Sequence, residues 1–408
     1  MIVLSRAAIV LLSVLGAAMF PHTGPNQTWV LQPINNLALD NTVPGSWMRL
    51  FVNFDSGWYL GISKGYNLPS GGNPDWLREW AFFPGYPWVL HPVSTVLIWL
   101  HVPGNTSETA GVLVSYAALF GGGIYLYRLV RGELGVAAAR RSLVYTLIFP
   151  ASFYLSTVYP EGLFFFLSVG AFYHTRRRQW AAAGVLAAWA LLTRGQGVFL
   201  ILPLGVEFIA AYRAGAFKNA LAKLNVLWLG LPVLALGGYA LFSHANTGYW
   251  LAFEASAKVW GRRLTPPIYP LARYVLSPSL GGAFSFDFAS LNFAVAVLFI
   301  VLTVVALFRL PPAYGIWLAL GVLIPLSSDG HQMTSLARYV APFFPAFIAL
   351  AAWVLRIRWS PEGPRMDGGT SDPNGATSDL RDHVIVIPFV MLLALLTIMF
   401  ANGIWAAV

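Results

Sequence analysis

Long apolar runs recur from one end of this 408-residue chain to the other, and most of them are bounded by Lys or Arg. Lipid offers no hydrogen bonds to a backbone, so a run of roughly 20 apolar residues can cross it only as a helix or in a closed barrel. The runs here lack the alternation of a barrel strand, so the chain is read as all-α: a polytopic transmembrane helical bundle. Hydrophobic residues make up 57% of it and charged residues 10%, against about a quarter charged in soluble domains. A net charge of +9 with the basic residues at run ends marks topology, not a nucleic-acid surface, so the bilayer is the expected partner and nucleic acid is not. There is no cysteine, which removes disulfides, thiolate metal sites and cysteine nucleophiles.

Apolar segments fall at 2–20, 110–130, 142–159, 161–175, 180–195, 197–212, 224–243, 291–309, 312–327, 338–356 and 383–403, about 11 spans. With the N-terminus in the cytoplasm, most basic residues lie inside: Arg6, Arg128 to Arg141, Arg176 to Arg178, Arg213, Lys218, Lys223, Arg309 and Arg356 to Arg381. Residues 2–20 resemble a signal peptide but are read as a retained helix. The aromatic stretch 80–102 is read as an interfacial helix, because a full crossing would move Arg128 to Arg141 outside. The membrane core is thus 1–359, with outer loops 21–109, 244–290 and 328–337. A disordered cytoplasmic linker is expected over 360–382 and a final helix in 383–408. Sequons at Asn26 and Asn105 fall outside in this arrangement.

Polar residues cluster where the spans meet the outer loops. Asp55 stands between Phe54 and Trp58-Tyr59, with Lys64 nearby; it is either a turn carboxylate or an acid held close to a substrate hydroxyl. Tyr159-Pro160-Glu161 joins two spans, where Glu161 either caps the next helix or binds a sugar hydroxyl or a cation. Arg194 and Gln196 form a polar turn between short apolar runs, tolerated at depth only if buried in protein or lining a cavity. Glu254 and Lys258 have ion-pair spacing, and Trp260, Arg262 and Arg263 follow. Arg262 suits a phosphate at the membrane edge. Asp329, His331, Arg338 and Tyr339 surround the last outer loop, and a guanidinium such as Arg338 facing a cavity fits a lipid-linked phosphate. Nothing has the spacing of a zinc hydrolase, a serine hydrolase or a P-loop.

Taken in order, the blocks Asp55-Ser56-Gly57-Trp58-Tyr59, Gly65-Tyr66 and Phe82-Phe83-Pro84-Gly85-Tyr86-Pro87 lead to Phe149-Pro150-Ala151-Ser152-Phe153-Tyr154-Leu155-Ser156. Tyr159-Pro160-Glu161, Leu192-Thr193-Arg194-Gly195-Gln196-Gly197, Ala252-Phe253, Trp260-Gly261-Arg262, Ala337-Arg338-Tyr339 and Pro342-Phe343-Phe344-Pro345 follow. This series resembles the glycosylphosphatidylinositol mannosyltransferase II-like family and its bacterial relatives, within the C-type membrane glycosyltransferase superfamily. The resemblance covers most of the chain. It departs at Phe54, where Trp is usual, and at Gly195, where Pro is usual.

What the resemblance implies is transfer of a sugar from a polyprenyl-phosphate carrier to an acceptor hydroxyl at the extracytoplasmic face. The acid of the first outer loop, here Asp55, works beside the reacting hydroxyl. The expected reaction is inverting transfer of a hexose, mannose first, to a lipid or glycan acceptor. Asp55 is the expected base and Trp58 and Tyr59 shape the acceptor side. Lys64, Tyr159, Glu161, Arg194, Gln196, Trp260, Arg262, His331, Arg338 and Tyr339 complete the expected substrate-binding set. No cofactor is required by these residues, and a divalent cation at Glu161 is left open. The rival readings are a flippase of a lipid-linked sugar, which predicts charges along a path through the membrane, and a non-catalytic subunit of a glycosyltransferase complex.

Overall fold

The computed structural model describes residues 1–19, 50–69, 74–217, 219–277, 288–329, 333, 335–366 and 376–402. Among them almost everything regular is helical. After α1 (Ile2–Met19) has opened the bundle come α2 (Ser56–Ile62), a 3₁₀ turn at Pro74–Ala81 and α3 (Gly85–Trp99). The core follows with α4 (Thr106–Ile148), α5 (Glu161–Arg176), α6 (Trp180–Thr193) and α7 (Ile201–Arg213), then the short α8 (Ala220–Lys223) and α9 (Leu231–Thr247). Two small helices, α10 (Ala252–Val259) and α11 (Ile268–Leu276), precede α12 (Phe288–Arg309) and α13 (Pro312–Leu326). The chain closes with α14 (Leu336–Val340), α15 (Pro345–Val354) and α16 (Ala376–Ala401).

Each apolar segment drawn from the sequence contains helix, but 142–159 and 338–356 are broken by turns at 149–151 and 341–344, and only 6 helical stretches among the described residues are long and apolar enough to cross a membrane alone. The difference has two causes. The α4 element is two limbs broken at Gly135, whose φ of 88° belongs to the left-handed region that favours glycine. A Cβ on Gly123 would lie 3.4 Å from Leu143, so the limbs on either side of Gly135 fold back on each other. The helices α5, α6, α13 and α15 are short because polar turns and prolines end them, and neighbouring helices cover them. Their interior faces are made of small or aromatic residues: Ala183, Ala187 and Ala190 on α6, Phe164, Phe165 and Phe172 on α5, all 0% exposed. Small residues let helices approach where lipid supplies no hydrophobic drive between them.

Several sequence expectations change here. Arg6 is no cytoplasmic marker: it is 2% exposed and donates to the carbonyls of Leu147 (2.6 Å) and Ser152 (2.9 Å) and to Ser156 Oγ (3.2 Å). Leu147 ends a helix limb, so its carbonyl has no helical partner of its own and accepts the guanidinium instead. The linker expected over 360–382 carries structure at both ends. Arg365–Met366 pairs with Ile357–Arg358, and α16 already begins at Ala376, with Asp382 bound to Arg141 (2.8 Å) and to the Tyr145 hydroxyl. The sequon residue Asn105 is the N-cap of α4, its side chain accepting from the backbone N–H groups of Ser107 and Glu108. Asn26 lies outside the described residues.

A polar cluster closes the end of the bundle where α5 stops. Arg176 pairs with Glu133 (2.6 Å) and Glu207 (2.8 Å), and the Tyr314 hydroxyl donates to both Glu133 oxygens, joining α4, α5, α7 and α13. Replacing Arg176 by Leu leaves two partly buried carboxylates facing each other. That variant should lose about 3 kcal/mol of stability, read as a lower thermal midpoint in detergent, and Glu133→Gln in the same background should recover part of the loss.

Candidate active site

At the other end of α5, about 24 Å from Arg176 for a 16-residue helix, five charged side chains meet. Four come from the ends of elements and the fifth from a very short helix. Asp55 precedes α2, Glu161 opens α5, Arg194 ends α6, Arg262 follows α10 and Arg338 lies on the five-residue α14.

Local sequence explains these positions. Phe54 has φ 53°, rare for a residue with a large side chain, and its ring packs on Phe400 of α16. That turn is fixed by Tyr159, whose hydroxyl donates to the Asn53 carbonyl (2.9 Å) and accepts from the Asp55 N–H (3.1 Å). Pro160 ends one segment so that α5 starts at Glu161, where negative charge is favoured by the helix dipole. No side-chain cap forms there, so the capping reading of Glu161 gives way to ion pairing. Gly162 behind it sits against backbone: a Cβ would come within 2.4 Å of the Leu155 carbonyl oxygen. The left-handed turns at Met333 (φ 62°) and Ser335 (φ 65°) lead into α14, and the Ala337 N–H donates to Asn292 Oδ1 (3.1 Å).

The charges form a chain. Arg338 Nη1 donates to Asp55 Oδ2 at 2.6 Å, and its Nε lies 3.3 Å from Glu161 Oε1. Arg194 Nη1 reaches the same Glu161 oxygen at 2.8 Å. Tyr339 is the hub of the guanidinium groups: Arg338, Arg194 and Arg262 lie 5.1, 5.2 and 5.6 Å from its ring centroid, and Arg262 Nη2 donates to its hydroxyl at 2.7 Å. Three guanidinium groups against two carboxylates leave one formal positive charge, an arrangement open to one more anion. Glu161 is 0% exposed and its Oε2 has no hydrogen-bond partner; the buried Oε1 of Gln196 likewise has none.

Of the residues expected from the sequence, Asp55, Tyr159, Glu161, Arg194, Arg262, Arg338 and Tyr339 are brought together. Trp58 and Tyr59 are buried wall. Trp58 stacks on Phe82 (5.6 Å) with Trp260 edge-on (6.0 Å), and Tyr59 packs among Phe82, Tyr86 and Tyr159. Trp260 is held by its indole N–H on the Arg78 carbonyl (3.0 Å), and the Arg78 guanidinium covers its ring. Lys64 is exposed in the turn after α2 and takes no part in the charge chain. His331 lies outside the described residues. Glu254 and Lys258 do not pair; both are exposed on α10 and border a surface cavity of about 500 Å³ with Tyr249 and Trp250. Tyr154 was missed as a site residue, although its block was singled out; its ring lies 5.7 Å from the Arg338 guanidinium. Among the described residues no three His, Asp or Glu side chains group as metal ligands would.

With this geometry in place, comparison becomes informative. The family model described as Mannosyltransferase (PIG-V) matches residues 1–242, which carry Asp55, Glu161 and Arg194. The chain belongs to that family. It is therefore a membrane glycosyltransferase. No curated protein matches the sequence. Among solved structures it is similar to ArnT from Cupriavidus metallidurans bound to undecaprenyl phosphate, at 18% identity and TM-score 0.48, over 88% of this chain and 72% of that one. It is also similar to the Archaeoglobus fulgidus oligosaccharyltransferase tethered to an acceptor peptide, at 16% identity and TM-score 0.47, over 94% of this chain and 56% of that one. A third likeness is to the same archaeal enzyme, AglB, in complex with an inhibitory peptide and a dolichol-phosphate, at 13% identity and TM-score 0.43.

Behind the tryptophan wall, Glu79 is 1% exposed and accepts hydrogen bonds from the Asn67 backbone N–H and from Asn67 Nδ2 (3.0 Å). Burial pushes its carboxyl up to about 7, and the Asn67 bonds only partly oppose this. A carboxyl raised in the folded state stabilises most below its unfolded value, and that contribution is lost as pH rises through the folded one. The thermal midpoint should therefore fall between about pH 4.5 and pH 7, and Glu79→Gln should flatten that slope.

Proposed function

We propose that this glycosyltransferase moves a hexose, mannose in the first instance, from a polyprenyl-phosphate carrier to an acceptor hydroxyl at the extracytoplasmic face, with inversion. The observation that carries this is the joining of Asp55 and Arg338, 283 residues apart in sequence, within one ring of arginines and carboxylates. An acid suited to take a hydroxyl proton and a guanidinium suited to a leaving phosphate are the two groups such a displacement needs.

In the proposed step the Asp55 carboxylate takes the acceptor proton as the acceptor oxygen bonds to the anomeric carbon. The bond from that carbon to the phosphate oxygen breaks, and its electron pair stays on the phosphate. Arg338, with Arg194 and Arg262 around Tyr339, stabilises the charge that develops there. Trp58 and Tyr59 would shape the acceptor side, with Trp260 packed edge-on against Trp58. The carrier's tail would rest in lipid between helices, and the acceptor is a lipid or glycan hydroxyl. Sidedness is supported by the basic residues Arg128, Arg131, Arg140 and Arg141, which flank the break of α4 at Gly135 near Glu133, away from the charge ring.

The test is transfer of radiolabelled mannose from polyprenyl-phosphate mannose by the purified protein, which neither a flippase nor a non-catalytic subunit would perform. Asp55→Asn should cut the rate about 1,000-fold, within the range for loss of a general base, with the fold intact by thermal melting. Arg338→Lys should cost about 100-fold, since an ammonium reproduces the charge but not the planar set of donors. Full activity in a folded Asp55→Asn protein removes the base assignment.

A further inference from the structure

The ion pair that identifies the site also disables it. A carboxylate bonded at 2.6 Å to a guanidinium that is 5% exposed has one of its two oxygens occupied and cannot offer it to an acceptor hydroxyl. Building on the function proposed above, we propose that Arg338 is a latch: without donor it holds Asp55, and the donor's phosphate draws it away, so the base is released only when a sugar phosphate is in place. Glu161 is the positioning residue on which Arg338 pivots.

Three observations carry this. First, the two contacts of Arg338 are unequal. Its Nη1 is tightly bound to Asp55, while its Nε stands 3.3 Å from Glu161 and makes no well-formed hydrogen bond. The guanidinium has donors to spare and is saturated on neither side. Second, Glu161 keeps capacity in reserve. Its Oε1 is taken by Arg194, but its Oε2 is buried without a partner, so a turned Arg338 has an acceptor waiting. Third, the charge count favours the exchange. Asp55, Glu161 and three arginines sum to +1, and a phosphodiester supplies −1, so the anion that displaces Asp55 neutralises the ring.

The cycle then resets itself. Transfer delivers a proton to Asp55, which becomes neutral and loses its hold on Arg338. At the same moment the departing phosphate becomes a monoester of greater negative charge and holds Arg338 more firmly. When the carrier phosphate leaves and Asp55 releases its proton to water, the pair re-forms. An acceptor that arrives before the donor meets a neutralised carboxylate, so donor binding comes first.

Binding of polyprenyl phosphate, which undergoes no chemistry, separates this idea from the catalytic role of Asp55. The titration uses the full-length protein in nanodiscs. If the latch is closed in nine of ten unliganded molecules, opening it should tighten binding about tenfold, because apparent affinity scales with the competent fraction. Asp55→Asn is therefore expected to bind polyprenyl phosphate about tenfold more tightly than wild type while losing transfer, and Asp55→Ser should do the same if the Asn variant melts early. Glu161→Gln should weaken binding, and in Asp55→Asn/Glu161→Gln the gain should vanish. A generally loosened fold would lower the thermal midpoint without abolishing that gain. Inorganic phosphate at matched concentration should compete weakly, since it lacks the lipid part.

Unchanged or weaker binding by both Asp55 variants overturns the latch. Tighter binding by Glu161→Gln overturns the positioning role, because Glu161 would then be a second competitor. If wild-type protein neither binds polyprenyl phosphate nor transfers mannose, the functional reading itself has failed; if it does both and the Asp55 variants gain nothing, the latch alone has failed.

Discussion

Arg338 is a permanent charge inside an apolar protein, and the elements around it are arranged so that it is never alone. A buried guanidinium without counter-charge costs far more than any one contact returns. Its two carboxylates come from separate, much earlier parts of the chain, Asp55 from just before α2 and Glu161 from the head of α5. Three tyrosine rings, Tyr154, Tyr159 and Tyr339, add their negative faces within 5.1 to 5.7 Å. Bringing these groups together requires α14 to sit against α12, the turn at Phe54 to close, and α5 to begin where Pro160 ends the preceding segment. The position of one arginine thereby constrains four separate elements.

The remaining buried charges follow the same rule by other means. Arg176 has two carboxylates and a hydroxyl around it at the far end of α5. For Arg6, backbone carbonyls and serine hydroxyls accept the guanidinium N–H groups. Between the two ends, α5 is lined with fully buried Leu, Phe and Ala, and the charges are confined to its termini. This separation bears on the choice between enzyme and conduit. A path for a sugar phosphate through the protein would need polar groups along the middle of such helices, and α5 has Ser168 there, its hydroxyl turned back onto the Phe165 carbonyl.

The class of fold was legible because lipid leaves so few options: apolar runs of the right length form helices, and each run drawn from the sequence contains one, though 142–159 and 338–356 are broken by turns. Lengths were less legible. Hydropathy treats Arg128 to Arg141 as a loop, but the chain stays helical through it and turns on Gly135 alone. Arg6 misled for a related reason, since a basic residue near a terminus looks like a topology signal until a helix end with unused carbonyls is found beside it. In the site, Asp55, Glu161, Arg194 and Arg338 were readable as polar residues with no business in apolar surroundings. Their mutual pairing was not, because no sequence period links position 55 to 338. Lys64 was included by proximity in sequence and proved exposed. Tyr154 was passed over because an aromatic residue in an apolar run looks like core, and its second role as a face for Arg338 appears only once the partner is placed.

The charged groups of the site stand at element ends or, for Arg338, on a five-residue helix, and this has a mechanical consequence. A helix interior has its backbone satisfied and its side chains fixed by packing, so it makes a stiff support but a poor place for exchange. Its termini leave N–H and carbonyl groups unpaired and allow unusual backbone angles. Here the stiff parts are α5, α6 and α12, and the strained residues Phe54, Met333 and Ser335 lie in the connections that present Asp55 and Arg338. The two partners that must separate for chemistry are therefore carried by short, irregular elements, α2 and α14. Glu161, which must stay, is carried by a 16-residue helix of the buried core. The division between a fixed carboxylate and a releasable one is written into which element holds each.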